Sequence, residues 1–589
     1  MKNWAGDALG LLAVIASLGA GGNSAAAQAK TNSASERDWW KNAVIYQVYP
    51  RSFQDTNGDG IGDLNGITEH LDYLKELDVD AIWLSPVYPS PNADFGYDVS
   101  DYLSISPEYG TLADFDRLIT EANKRHIRVL MDMVMNHTSD QHPWFIASRS
   151  SKDNPYRDWY VWRDGKGETG TSRGQPPNNW GAYGHSSWEW DETTRQYYYH
   201  HFSIHQPDLN WYNPAIEQAF KDAISFWLKR GVAGFRFDAV GTLFEDPSYE
   251  DEAVAKNANG KPILDARGNP VLERTKSGEQ PAVHTVMQEI RAHIDTFDTD
   301  AYPGTRVLIG ETFSRNTDDL LKWYGRDKPE FELPMDMQVT SVGKLDVAAF
   351  RQKLVTVEKG IGSHVPLLLF DNHDRPRIDA RFGDGVHDLA IQRALATVLL
   401  ASGGASLMYY GDEIGMKTTP PTRKEDVKDT MTGLANWPTN KGRDGERTPM
   451  QWDTSAKAGF TTGTPWLPVP PSAATINVSA EESDANSLLT WYKALIHLKK
   501  TNAAMAIGAN TMLDTENVKV LSWMREVPDA GRVVVSVNFT AEAQAVNLAG
   551  PDLKAKTVQT LLKSPGGTDP AELDQIQLGA FGVFIGEVR

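Results

Sequence analysis

The 589-residue chain contains no cysteine, so it holds no disulfide and no thiolate metal site. Basic residues are also scarce. Against 78 Asp and Glu stand 58 Lys and Arg, a formal net charge of -20. That balance argues against a nucleic acid or an anionic membrane surface as partner, since both need clustered Lys and Arg. A neutral partner such as a sugar fits. Long apolar runs are missing too. The stretch 8–22 is short of the roughly 20 residues that a helix needs to span a bilayer. It is followed by Asn23-Ser-Ala-Ala-Ala-Gln-Ala29, whose small residues read as a secretory cleavage site, although the leading charge is weak, Lys2 being offset by Asp7. The expectation is a signal peptide over 1–29, a linker over 30–37, and a periplasmic or secreted protein. No internal repeat is visible.

What the chain has in quantity is aromatic residues and a regular alternation of elements. Eighteen Trp and twenty Tyr offer flat faces suited to sugar rings, although most such residues are core. Eight apolar, strand-like runs, at 44–50, 79–86, 128–137, 234–240, 306–313, 333–339, 366–374 and 405–413, alternate with amphipathic stretches. Ile67, Leu71, Leu74 and Leu77 share one helical face, as do Phe115, Leu118, Ile119 and Ala122. This pattern predicts an α/β fold, a (β/α)8 TIM barrel over 38–137 and 206–500. The aromatic, Gly- and Asn-rich segment 138–205 is too long for a loop and reads as an inserted small domain over the barrel mouth. In 245–281, the turn signals Asn257-Ala-Asn-Gly260 and Asp265-Ala-Arg-Gly268 predict a hairpin. It either lines the site or decorates the surface. From 501 to 589 short alternating strands predict an all-β sandwich.

Three runs end in a carboxylate: Gly234-Phe-Arg-Phe-Asp238-Ala-Val240, Val307-Leu-Ile-Gly-Glu311-Thr-Phe313 and Leu367-Leu-Leu-Phe-Asp-Asn-His373-Asp374. An unpaired charge at the end of a buried strand is costly, so three such endings point to carboxylates kept for chemistry. They fall where a barrel carries its active site, at the C-terminal ends of its strands. Arg236, two residues before Asp238, shares its strand face and is expected to keep it ionised.

Two further blocks, Asp132-Met-Val-Met-Asn136-His137 and Gln206-Pro-Asp-Leu-Asn210-Trp211, stand in order with these three. Together the five resemble the signature segments of glycoside hydrolase family thirteen, the α-amylase family, over residues 38–452. The Gln206 block and Arg447-Thr-Pro-Met-Gln-Trp452 resemble its α-glucosidase and oligo-1,6-glucosidase branch. The resemblance implies a retaining mechanism, with Asp238 as nucleophile, Glu311 as general acid/base and Asp374 as a third carboxylate that binds sugar hydroxyls. It implies that His137 and His373 donate to the sugar and that Tyr97 stacks under it. It also implies that Asp94 pairs with Arg447 to close an exo-acting pocket. The residue after the nucleophile, Ala239, lies beside the leaving group, where members favouring α-1,6 bonds tend to carry Val. The implied substrate is therefore a short neutral α-glucoside of the maltose type, with sucrose or α-1,6 links as further possibilities, and no organic cofactor is required.

Asp55-Thr-Asn57-Gly-Asp59-Gly-Ile61-Gly-Asp63 sets oxygen ligands at positions 1, 3, 5 and 9, with the Ile61 carbonyl at 7. This is the logic of a calcium loop, although Gly66 stands where an EF-hand has its Glu. It matches the ion loop of oligo-1,6-glucosidase-like members, so a structural Ca2+ or Mg2+ is expected. Two other functions stay open. A transglycosylase or isomerase of the trehalose synthase or sucrose isomerase type would use the same carboxylates. A non-catalytic, glycosidase-shaped binding protein would have lost them.

Overall fold

The computed structural model describes residues 37–589 apart from 171, 183–184, 266–267, 298–303, 315, 551–552 and 554–555. The expected signal segment, and the linker except Arg37, lie outside the described residues.

Eight strands form one sheet: β1 (Val44–Val48), β2 (Ala81–Leu84), β3 (Arg128–Val134), β4 (Gly234–Asp238), β5 (Val307–Gly310), β6 (Leu333–Pro334), β7 (Leu367–Leu368) and β8 (Ala405–Tyr409). They pair in the order β6-β5-β4-β3-β2-β1-β8-β7. Every pairing is parallel, and a parallel bridge from Met335 to Leu367 joins β6 to β7 and closes the barrel. These strands are buried on both faces, which is why they read as continuous apolar runs. Ile45, Ala81, Leu130, Val307, Leu333, Leu367 and Leu407 belong to the core inside the barrel, while Val44, Tyr46 and Ile82 belong to the larger core under the helices. The chain switches between the two cores with the two-residue period of a strand. Gly234 opens β4 at φ +151, where a Cβ would sit 2.0 Å from the Val307 carbonyl oxygen, so only glycine fits.

The helix Leu112–Lys124 starts at a capping box of Thr111 and Asp114 and buries Phe115, Leu118, Ile119 and Ala122, as their spacing predicts. The run 333–339 is extended only to Pro334. Asp336 then accepts the Gln338 N–H at 3.0 Å and caps a helical turn, Met337–Thr340, because a side-chain cap competes with the strand ladder.

Between β3 and β4, a helix (Pro143–Ser150) and a three-stranded antiparallel sheet of Trp162–Arg163, Gln196–Tyr199 and Trp188–Asp191 stand beyond the barrel. Val161, Trp180, Trp188, Trp190, Tyr197 and Tyr199 make a separate small core there, which accounts for much of the aromatic content of this stretch. The insertion after β4 is not the expected hairpin. Three extended segments pair in a ring, with Ala255 N–H bonded to Val271 O (2.8 Å), Ile263 N–H to Ala255 O (2.8 Å) and Val271 N–H to Ile263 O (2.9 Å). An Asx turn at Asn257, whose Oδ1 accepts the Asn259 N–H, and a tight loop at Asp265, whose Oδ1 accepts the Asn269 N–H, fold the segment twice instead of once.

At the C-terminus, Ala509–Leu513, Val520–Val527, Gly531–Asn538, Val583–Val588 and Val558–Lys563 form a five-stranded antiparallel sheet. One face, through Leu521, Trp523 and Val535, joins the barrel's outer core; Trp523 Nε1 donates to Ala401 O at 3.1 Å. The other, through Val520, Met524 and Val534, packs on the ribbon of Gln544–Val546 and Ile576–Leu578, which completes the sandwich. Among the described residues no helix is long and apolar enough to cross a membrane.

Candidate active site

Arg236 is the centre of the site. Fully buried, it places Nη1 at 2.7 Å from Asp238 Oδ1 and 3.0 Å from Asp132 Oδ1, and Nη2 at 2.9 Å from Glu311 Oε2. One guanidinium thus ties the C-terminal ends of β3, β4 and β5 together. Asp132 also accepts the Tyr97 hydroxyl at 3.0 Å and Trp83 Nε1 at 3.1 Å. Glu311 Oε2 accepts the Ala239 N–H at 2.9 Å, an approach made possible because Ala239 adopts a left-handed conformation at φ +43. Burial pushes Glu311 from its ordinary 4.5 up to about 7, with Arg236 acting in the opposite direction. Burial likewise pushes Asp238 up to about 7. The expected partner of Asp238, Arg236, is in place at 2.7 Å and favours its ionised form against that desolvation.

Asp374 behaves in the opposite way. Burial raises its pKa, but His373, Arg443 and Arg447 outweigh it and leave the carboxylate well below its usual range. Its Oδ1 lies 2.8 Å from Arg443 Nη1 and 2.9 Å from Arg447 Nη2, and its Oδ2 3.2 Å from His373 Nε2. The expected partner of Asp94 was Arg447. The structure instead pairs Asp94 Oδ1 with Arg443 Nη2 at 2.6 Å, and Arg443 also holds Asp429 at 2.9 Å. Arg447 stands one layer back, its Nε donating to the His373 carbonyl at 2.7 Å. Sequence reasoning missed Arg443 and Asp429. Arg443 lies in Gly442-Arg443-Asp444-Gly445, one helical turn's length before the recognised arginine, in a segment with no strand or helix period to place it.

The two histidines are buried, and burial lowers both, His137 to about 3. His373 Nδ1 accepts from Gln47 Nε2 at 2.8 Å, which assigns the ring proton to Nε2, facing Asp374. His137 Nδ1 accepts from Asn136 Nδ2 at 3.1 Å, so its Nε2–H donates to the Tyr97 carbonyl at 3.1 Å. Each donor expected for a sugar thus also has a protein acceptor. Tyr97 stacks on His373 with ring centres 5.1 Å apart and an interplanar angle of 3°.

Asp94, Tyr97, His137, Asp238, Ala239, Glu311, His373 and Asp374 all line a single cavity of about 960 Å³. The insertion contributes too. Glu273, Arg274 and Thr275 lie on its wall, so this segment lines the site and is not mere surface decoration.

Residues 47–508 match the family described as Alpha amylase, catalytic domain. The chain belongs to the α-amylase family, glycoside hydrolase family thirteen. It is 38% identical over 585 residues to the oligo-1,6-glucosidase of Parageobacillus thermoglucosidasius, spanning 94% of this chain and 100% of that protein. It is 37% identical over 558 residues to a probable α-glucosidase of Rhizobium meliloti, spanning 93% and 97%. Among solved structures, the trehalulose synthase of Pseudomonas mesoacidophila matches with a TM-score of 0.82 at 38% identity, over 94% of this chain and 99% of that one. An α-glucosyl transfer enzyme matches with a TM-score of 0.83 at 35% identity, over 94% and 99%. Within the family this glycoside hydrolase stands in the α-glucosidase and oligo-1,6-glucosidase branch.

The acidic loop after β1 lies apart from the cavity wall. Asp55 Oδ1 accepts the Asn57 N–H (2.9 Å), Asn57 Oδ1 the Asp59 N–H (2.9 Å) and Asp59 Oδ1 the Ile61 N–H (2.8 Å). Asp63 caps the helix Leu64–Glu69: its oxygens accept from Thr56 N–H and Gly66 N–H, each at 2.8 Å. Among the described residues no group of three or more His, Cys, Asp or Glu side chains is gathered for a metal. What suits a hard cation here is the oxygen-only chemistry of Asp55, Asn57, Asp59 and the Ile61 carbonyl.

Proposed function

We propose that the protein is an exo-acting, retaining α-glucosidase that releases α-glucose from the non-reducing end of short, neutral α-glucosides. The observation that carries this reading is the placement of Asp238 and Glu311 on the two terminal nitrogens of Arg236, facing a cavity that Asp94, Arg443 and Asp374 wall with paired charges. Two carboxyls on one guanidinium suit the roughly 5–5.5 Å separation of a retaining pair better than the wider gap of an inverting one.

Asp238, as a carboxylate, attacks the anomeric carbon while protonated Glu311 delivers its proton to the leaving oxygen. The glucosyl group is then esterified to Asp238 and Glu311 is a carboxylate. In the second step Glu311 takes a proton from water, the water oxygen bonds to the anomeric carbon, and the Asp238 ester breaks. Two inversions restore the α configuration. Ionised Asp374 is set to accept from hydroxyls of the bound glucose, and the paired wall closes the pocket behind that ring.

The likeness to a trehalulose synthase and to an α-glucosyl transfer enzyme supports a second reading, in which the glucosyl group passes to a sugar instead of water. Incubation with maltose, isomaltose and sucrose separates the two. Stoichiometric free glucose from maltose supports hydrolysis. A rearranged disaccharide from sucrose, with little free glucose, supports transfer.

We also propose that the loop 55–63 binds one Ca2+ or Mg2+ that stabilises the fold. Export belongs to the same proposal: sequencing of the secreted protein should begin near Lys30, and an intact Met1 would contradict it.

A further inference from the structure

Between the small aromatic domain and the cavity wall runs a continuous chain of hydrogen bonds through a buried carboxylate that takes no part in the chemistry above. Asn178 Nδ2 donates to Tyr249 O at 3.1 Å, and Trp180 Nε1 to Glu250 O at 2.9 Å. The Asn179 amide grips residue 252 in both directions: Glu252 N–H donates to Asn179 Oδ1 at 2.8 Å, and Asn179 Nδ2 to Glu252 O at 3.0 Å. The first arm of the insertion is therefore docked on the domain beyond β3.

From that docked position the Glu252 side chain, 4% exposed, reaches across to the returning arm. Its Oε1 accepts Lys276 N–H at 2.7 Å, Ser277 N–H at 2.9 Å and Ser277 Oγ at 3.1 Å. Its Oε2 accepts Thr275 N–H at 3.1 Å and Thr275 Oγ1 at 3.3 Å. Three successive backbone N–H groups converging on one carboxylate form an anion nest, here filled from within the chain. These residues belong to the stretch whose Glu273, Arg274, Thr275, Ser277 and Glu279 line the cavity. Arg274 and Glu279 sit in left-handed conformations at φ +55 and +52. Such backbone strain persists only where surrounding structure enforces it. At Arg274 the enforcing contacts are the Glu252 bonds immediately after it; at Glu279 it is an N–H bond to Gly241 O at 2.6 Å.

We infer that Glu252 is a positioning residue that fixes the 273–279 wall as the subsite for the leaving-group sugar, with Arg274 its hydroxyl-binding side chain. The glucose-binding side of the cavity is made by other segments, carrying Asp94, Tyr97, His373 and Asp374. The insertion wall approaches it from β4, beside Ala239 and Gly241. A guanidinium at the cavity mouth offers several donors to the hydroxyls of a neutral aglycone sugar. Loosening the clamp should then penalise substrates according to the size of the leaving group.

This inference rests on the α-glucosidase reading, and α-glucosyl fluoride separates the failure of one from the failure of the other, because its leaving group is a single atom with nothing to touch the wall. If the wild-type protein hydrolyses neither the fluoride nor maltose, the α-glucosidase reading fails. Given activity on both, the ratio of kcat/KM for maltotriose to that for α-glucosyl fluoride should fall about tenfold in Glu252→Gln, mainly through KM. Gln places an N–H2 against N–H donors and breaks half the nest. Arg274→Ala removes an exposed side chain, leaves the clamp whole and should lower the same ratio, so the inference stays testable if Glu252→Gln fails to fold. A ratio unchanged in Arg274→Ala, or equal losses on fluoride and maltotriose in Glu252→Gln, would overturn it.

Discussion

Arg443 Nη2 lies 2.6 Å from Asp94 Oδ1, and the same guanidinium reaches Asp374 at 2.8 Å and Asp429 at 2.9 Å. It is the hinge of the charged wall, bringing the loops after β2 and β7 against the segment 429–447. Arg447 touches only Asp374 among these carboxylates.

Arg443→Ala should therefore raise KM for every α-glucoside more than Arg447→Ala does. Removing the cation leaves Asp94 and Asp429 buried without an ion-pair partner, and breaking a buried pair costs about 3–5 kcal/mol. Thermal melting and Michaelis kinetics on maltose check this. A larger loss in Arg447→Ala would return the anchor to Arg447.

The pH dependence follows from Glu311. Burial raises it from 4.5 to about 7, so the folded protein keeps a proton that the unfolded chain releases between those values. Its contribution to stability is present in full below about 4.5 and is lost as the pH rises through about 7. The proposed general acid loses its proton over the same rise, so kcat/KM for maltose should decline above about 7. Glu311→Gln should cut maltose hydrolysis by about 10²–10⁴-fold and flatten that limb on α-glucosyl fluoride, whose leaving group needs little protonation. An alkaline limb that persists in the variant would assign it to another group.

The barrel was legible in the sequence because strands buried on both faces leave continuous apolar runs, and Asp238, Glu311 and Asp374 end three of them. Arg236 was legible from its two-residue offset. The Asp94–Arg443 pair was not, because both residues lie on irregular segments that no period places, and the neighbouring Arg447 carried the recognisable motif. Asp336 misled in a different way: its side-chain cap turns an apolar run helical after two extended residues. The insertion's two turn signals were visible, but its ring pairing and its clamp at Glu252 depend on contacts with Asn179, some seventy positions away.

Chelation should lower Tm while initial activity at moderate temperature is retained. The ion proposed for the loop 55–63 would stabilise only the folded form, by RT ln(1 + [L]/Kd), or about 2.7 kcal/mol at a hundredfold excess over Kd. Calorimetry with and without a chelator checks this. An unchanged Tm would remove the ion.

Maltose should be cleaved faster than isomaltose, because Ala239 lines the cavity without a branched side chain. Ala239→Val should shift the ratio toward isomaltose by about 1–3 kcal/mol. It should also lower Tm, since a β-branched residue at φ +43 is strained. Competition kinetics on the two disaccharides decide the matter. An unchanged ratio would place linkage choice elsewhere.

In the proposed mechanism Asp238 takes the glucosyl group and returns it with retained configuration, and NMR of the first-formed glucose tests this directly. The anomeric proton should appear first as α-glucose and only later equilibrate with β. Initial β-glucose would contradict the pairing of Asp238 and Glu311 on Arg236 as a retaining nucleophile and acid.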